Sequence, residues 1–153
     1  MRKKRPCVFC QISAGELPAS IVYDDQDFMV IMDAYPLSRG HILILPKTHQ
    51  QYLRELSETQ QHRLFELGTA LMQASEKAGF GSGDSNLLLN DGRNANQTVP
   101  HLHLHIIPRT KNDFLKNLPK LVLHITGVFG IQTKRATLDE QARKIRECLE
   151  PFD

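Results

Sequence analysis

Residues 101–107 read His-Leu-His-Leu-His-Ile-Ile, and this alternation constrains the chain more than any other stretch. A period of two is that of a β-strand, whose successive side chains point to opposite faces. Leu102, Leu104 and Ile106 then enter a core, while His101, His103 and His105 share the other face with neighbouring rings about 7 Å apart. Threonine or lysine would solvate a strand face equally well. Three histidines instead line up groups that titrate near neutrality, the property wanted in a nucleophile or an acid–base catalyst. A metal-dependent hydrolase with all three rings on one ion is disfavoured, because the row spreads over about 14 Å.

The surrounding pattern predicts the fold that holds this strand. Residues 21–23 and 28–32 are extended runs separated by Asp24-Asp25-Gln26-Asp27, which predicts a hairpin. His41-Ile42-Leu43-Ile44-Leu45, closed by Pro46, predicts a third and central strand. Ser57-Glu58-Thr59-Gln60 forms a capping box, so a helix starts there. Leu64, Leu67, Leu71 and Ala74 or Ala78 continue it at helical spacing, and Gly79 supplies its left-handed stop. Residues 86–90 and 101–107 are two more strands joined by the loop 91–96. Five strands with one long helix between the third and fourth give an α+β domain on a largely antiparallel sheet. Leu138 to Leu149 reads as a closing amphipathic helix, whereas 111–131 has no clean period.

Composition narrows the function classes. A chain of 153 residues with 41% hydrophobic content suits one domain with its own core. The net charge of +2 comes from the start: Arg2, Lys3, Lys4 and Arg5 are four of 19 positive charges, against 17 acids in all. The body is near neutral to acidic and gives no clear nucleic-acid surface. We therefore divide the chain into a basic tail 1–6, a domain 7–110 and an extension 111–153 that docks on the same domain. No apolar run approaches the roughly 20 residues of a membrane span, and the start lacks the apolar centre of a signal peptide; a cytoplasmic protein is expected. Among three cysteines, Cys7 and Cys10 form a pair that fits a metal or redox role better than a disulfide framework, and Cys148 fits a packed small hydrophobe.

Asn96-Gln97-Thr98-Val99-Pro100 brings an amide and a hydroxyl to the threshold of the histidine strand, neutral donors suited to phosphate oxygens. An imidazole nitrogen attacks phosphorus at neutral pH and leaves a labile phosphoramidate. The run from Asn96 through the alternating histidines to Pro108-Arg109 resembles the histidine triad family of nucleotide hydrolases and transferases. Similarity extends to Cys7-Val8-Phe9-Cys10-Gln11-Ile12, to Asp33 with Pro36 and Gly40-His41-Ile42-Leu43, to Pro46-Lys47-Thr48-His49 and to Asn90-Asp91-Gly92. It covers about residues 7 to 110, and Asn96 departs from the glycine that many relatives carry.

The resemblance implies the histidine triad fold, a homodimer with sheets joined edge to edge, and a set of roles. His103 would attack the α-phosphorus of a purine nucleotide substrate, forming a nucleotidyl-histidine that water releases. His105 would hold the phosphate and move protons, Gln97 and Thr98 would donate to its oxygens, and His41 would line the same pocket. Asp33 would bind the ribose hydroxyls, Asn90 would orient the phosphate loop, and Phe9, Ile12, Met32 and Leu43 would surround the base. It also implies a structural zinc held by Cys7, Cys10, His49 and His101, four protein ligands that leave no open position. The substrate expected is an AMP-containing dinucleoside polyphosphate or nucleoside phosphoramidate. The alternatives are a non-catalytic nucleotide-binding module and, for the cysteines, a redox pair or simple burial.

Overall fold

The apolar runs that predict strands form the middle of one sheet. In a computed structural model of the chain, which describes residues 6–113, 118, 119, 122 and 132–151, β1 spans Ile21–Asp24, β2 Phe28–Met32 and β3 Ile42–Pro46. Strand β4 is Asp84–Leu89 and β5 is Leu104–Arg109. All pairings are antiparallel, in the order β1-β2-β3-β5-β4. Every residue of β2 and β3 is buried, as expected for strands covered on both faces. The expectations for the basic residues 1–5 and for most of 114–131 fall outside the described residues.

Helices α1 (Val8–Ser13), α2 (Glu58–Lys77) and α3 (Arg135–Cys148) accompany the sheet. The capping box at α2 is present, with Ser57 Oγ accepting from the Gln60 amide and Gln60 Oε1 accepting from the Ser57 amide. Gly79 follows at φ +80°, the left-handed position that closes the helix. Strand alternation sorts the core. Val30, Ile42, Ile44, Leu102, Leu104 and Ile106 pack under Leu64, Leu67 and Leu71 of α2 and under Leu138, Ala142 and Ile145 of α3. Phe9, Met29, Ile31, Leu43 and Leu45 form a smaller core on the opposite face.

Strand β3 lies one residue later than expected and β4 starts two residues earlier, and three further expectations shift. The short α1 replaces the bare Cys7–Cys10 knuckle; its six residues carry no side-chain cap to announce it. Helix α3 begins at Arg135, three residues before Leu138, because Arg135, Ala136 and Thr137 lie exposed and give no apolar signal. The strand expected over 101–107 starts at Leu104, since the His101 amide bonds Val99 O (2.8 Å) and the Leu102 amide bonds Gln50 O (2.6 Å) instead of a neighbouring strand.

Candidate functional site

A cavity of about 350 Å³ opens on the sheet face away from α2, within the size range of small-ligand sites. Phe9, Ile12, Ile31 and Leu43 supply apolar wall, and Thr98, His103, His105 and Asp33 supply polar groups. Met32 reaches the rim while packing mainly in the α2-side core, because it alternates with Ile31 along β2. Ile31 therefore occupies the inward position that the sequence reading gives to Met32 alone.

Hydrogen bonds fix the imidazole tautomers. His103 Nδ1 lies 2.7 Å from the His101 carbonyl, so Nδ1 carries the hydrogen and the neutral ring keeps its lone pair on Nε2. The Leu37 amide donates to His41 Nδ1 at 3.0 Å, which puts the His41 proton on Nε2, 2.9 Å from His105 Nδ1. His105 thus accepts at Nδ1 and carries its own hydrogen on Nε2. The two rings that line the cavity are complementary: His103 offers a lone pair and His105 a proton. Their centroids are 4.9 Å apart, closer than strand spacing alone gives, because the rings tilt into a T-shaped contact.

His41 does not line the cavity. It is fully buried and stands one layer behind His105, braced by Asp33, whose Oδ2 is 3.5 Å from His41 Nε2 and 3.9 Å from His105 Nδ1. The other oxygen of Asp33 accepts the Tyr35 amide at 2.8 Å, so this carboxylate caps a turn as well as facing the cavity. Gln97 is buried with Nε2 donating to Gln51 O at 2.8 Å, which ties the loop 92–98 to the stretch after β3. Asn90 Nδ2 donates to Asn96 O at 3.4 Å, inside that loop. Asn96 itself adopts φ +60°, a conformation that asparagine tolerates in place of glycine.

Gly40 holds the His41 turn. Its φ is +79°, its amide donates to Gln141 Oε1 at 2.9 Å, and a Cβ would lie 2.7 Å from Phe80 side-chain atoms. Gly40→Ala is expected to cost about 2–4 kcal/mol through left-handed strain and overpacking. Urea denaturation checks this; an unchanged midpoint would contradict it.

A second cluster lies beside the first. Ligand atoms of Cys7, Cys10, His49 and His101 all fall within 4.8 Å of one another. His101 Nδ1 is 3.4 Å from Cys7 Sγ and 3.6 Å from Cys10 Sγ, and His49 Nδ1 is 3.2 Å from Cys10 Sγ. The edges of a tetrahedral zinc site with ordinary Zn–N and Zn–S bonds are about 3.3–3.8 Å, so these donors fit one ion with little movement. His101 Nε2 donates to Pro46 O at 2.8 Å, leaving Nδ1 as the ligand atom in the usual carbonyl–histidine–metal arrangement. Burial pulls the His101 pKa below the usual histidine value, with help from the nearby His49 and His103 rings. Burial and then the neighbouring Cys7 push the Cys10 thiol up to about 11.

A five-stranded antiparallel sheet with paired imidazoles on an apolar cavity and a Cys2His2 cluster at its edge defines the class. The chain belongs to the HIT domain family, whose model matches residues 14–112. It is 36% identical over 143 residues to adenylylsulfatase HINT3 of Arabidopsis thaliana, covering 94% of this chain and 67% of that protein. It is 32% identical over 108 residues to adenosine 5'-monophosphoramidase hnt1 of Schizosaccharomyces pombe, covering 71% and 77% of the two chains. A zinc-bound histidine triad family protein from Mycobacterium smegmatis superposes with a TM-score of 0.74 at 32% identity, covering 94% and 93%. The sequence reading missed Ile31, Tyr35, Ser20, Arg135 and Leu138 among the cavity walls. Strand alternation would have found Ile31, since it follows from the same period that places Leu43.

Proposed function

We propose that the protein hydrolyses an AMP-containing substrate, a dinucleoside polyphosphate or a nucleoside phosphoramidate, at its α-phosphorus. The observation that carries this reading is the tautomer of His103, which leaves Nε2 as a lone-pair nitrogen on the cavity wall beside Thr98. Nε2 attacks phosphorus as the bond to the leaving group breaks; the His105 Nε2–H hydrogen-bonds the departing atom, which takes its proton from solvent. Water then gives its oxygen to phosphorus and a proton back to solvent, releasing the nucleotide and restoring His103. His41 holds His105 Nδ1 in its accepting state throughout, and Asp33 orients that pair while offering its cavity side to the ribose. Thr98 and the second amide hydrogen of Gln97 donate to the phosphate oxygens, with Asn90 keeping their loop in shape. Phe9, Ile12, Ile31 and Leu43 contact the base, with Met32 at the rim. The names of the Arabidopsis and yeast relatives, both enzymes of adenylyl compounds, support the substrate class.

Cys7, Cys10, His49 and His101 are the residues that would hold a structural zinc. Its chemistry there is a crosslink between the start of α1, the segment after β3 and the entry to β5. The carbonyl of His101 orients His103, so the cluster bears directly on the nucleophile. Among the described residues no helix is long and apolar enough to cross a membrane, and a cytoplasmic site of action suits three cysteines that form no disulfide. The edge strand β4 exposes 39% of Leu87, and α2 exposes 47% of Phe65, which supports a homodimer formed across that edge.

Turnover of diadenosine tetraphosphate and of adenosine phosphoramidate tests the reading. Release of AMP from at least one is expected; release from neither would contradict it.

A further inference from the structure

The cavity floor follows one row across the sheet. His105 on β5 faces Leu43 on β3 and Leu43 faces Ile31 on β2, all three lining the cavity. Two strand spacings carry this row about 10 Å away from His105, and Ser20 extends the wall beyond Ile31 to the length of an extended nucleoside 5'-phosphate. Ser20, just before β1, stands at the far end with Pro18, Arg135 and Leu138. Arg135 and Leu138 belong to α3, outside the stretch 14–112 that the family model matches.

The charged side chain that lines this end is a donor, Arg135, with the Asp139 carboxylate behind Ser20. The Arg135 guanidinium donates from Nη2 to Pro18 O (2.7 Å) and from Nη1 to Ser20 Oγ (3.4 Å), while the Ser20 hydroxyl donates to Asp139 Oδ1 (2.6 Å). Two of five guanidinium hydrogens are thereby used, and the rest remain for a ligand. The nearby carbonyls each already accept one hydrogen bond, Pro18 O from Arg135, Ser20 O from the Met32 amide and Ala34 O from the Thr133 amide, which leaves them weaker partners for a further donor. Adenine carries a donor amino group at position 6. Guanine and hypoxanthine carry O6 beside N7, the acceptor pair that an arginine fork matches.

We infer that Arg135 makes this pocket take 6-oxopurine nucleotides, those of guanine or hypoxanthine, in preference to adenine nucleotides. This rests on the nucleotide reading of the cavity; it keeps the phosphorus chemistry and ranks the bases that the site accepts. Apolar Phe9, Ile12 and Ile31 hold the ring of either base, so adenine compounds still enter and react.

Calorimetric titration of the zinc-loaded protein with IMP and with AMP tests the inference, since these ligands differ in the base only around position 6. IMP is expected to bind about tenfold more tightly. Arg135→Met should bring the two to near parity by weakening IMP while leaving AMP within about twofold, and Arg135→Lys should lose most of the preference because an ammonium has no fork. Equal binding, or an AMP preference, in the unaltered protein would overturn the inference whatever the variants do. Equal weakening of both nucleotides in Arg135→Met would also overturn it, as the mark of a purely structural role. Turnover of adenosine phosphoramidate read in parallel separates the two readings. An IMP preference without turnover of any nucleotide counts against the hydrolase alone, and turnover without a base preference counts against Arg135 alone.

Discussion

His103→Ala is expected to lower the rate of nucleotide release by roughly 10⁴-fold or more, the scale seen when a covalent nucleophile is removed. The effect is this large because no neighbouring ring can take over. His105 uses Nδ1 to accept from His41 and carries its hydrogen on Nε2, so its cavity side is a donor. His101 has Nε2 bonded to Pro46 O and Nδ1 turned to the two cysteines. Binding should survive much better than turnover, since Phe9, Ile31, Leu43 and Asp33 form the pocket independently of His103. Single-turnover kinetics beside equilibrium binding of AMP separate the two. A variant that retains more than about a hundredth of the rate would contradict the assigned role.

Removing zinc is expected to have the largest effect on stability. Four donors from the start of α1, the segment after β3 and the entry to β5 converge within 4.8 Å, and an ion there would tie together parts of the chain about ninety positions apart. Loss of several kcal/mol is expected from Cys7→Ala or from a strong chelator, seen as a thermal midpoint lower by roughly 10 °C or more. Activity should fall with it, because the His101 carbonyl sets the tautomer of His103. Metal analysis of protein purified without added zinc, followed by thermal denaturation with and without chelator, checks this. A stoichiometry near zero, or a midpoint indifferent to both treatments, would contradict it.

Much of this was legible in the sequence for local reasons. The period of two at 101–107 sorts Leu102, Leu104 and Ile106 into the α2-side core, and the box Ser57–Gln60 starts the long helix where its side chains can bond. The strand's true start was not legible, because it depends on Gln50 O reaching the Leu102 amide from another part of the chain. The same limit applies to His41. Its neighbours in sequence mark it as a site residue, but only the sheet register puts it behind His105 rather than beside the ligand. Arg135 is the clearest case of a residue invisible to pattern. It lies in the exposed first turn of an amphipathic helix, and only the docking of α3 across α2, β1 and β2 brings it to the cavity.

His103 is expected to become covalently nucleotidylated during turnover. Rapid quench of the protein with adenosine phosphoramidate, followed by mass spectrometry of its peptides, tests it most directly. An AMP adduct on the peptide containing His103, absent in His103→Ala, is expected. Sustained turnover with no adduct at any quench time, or an adduct on His105 instead, would contradict it.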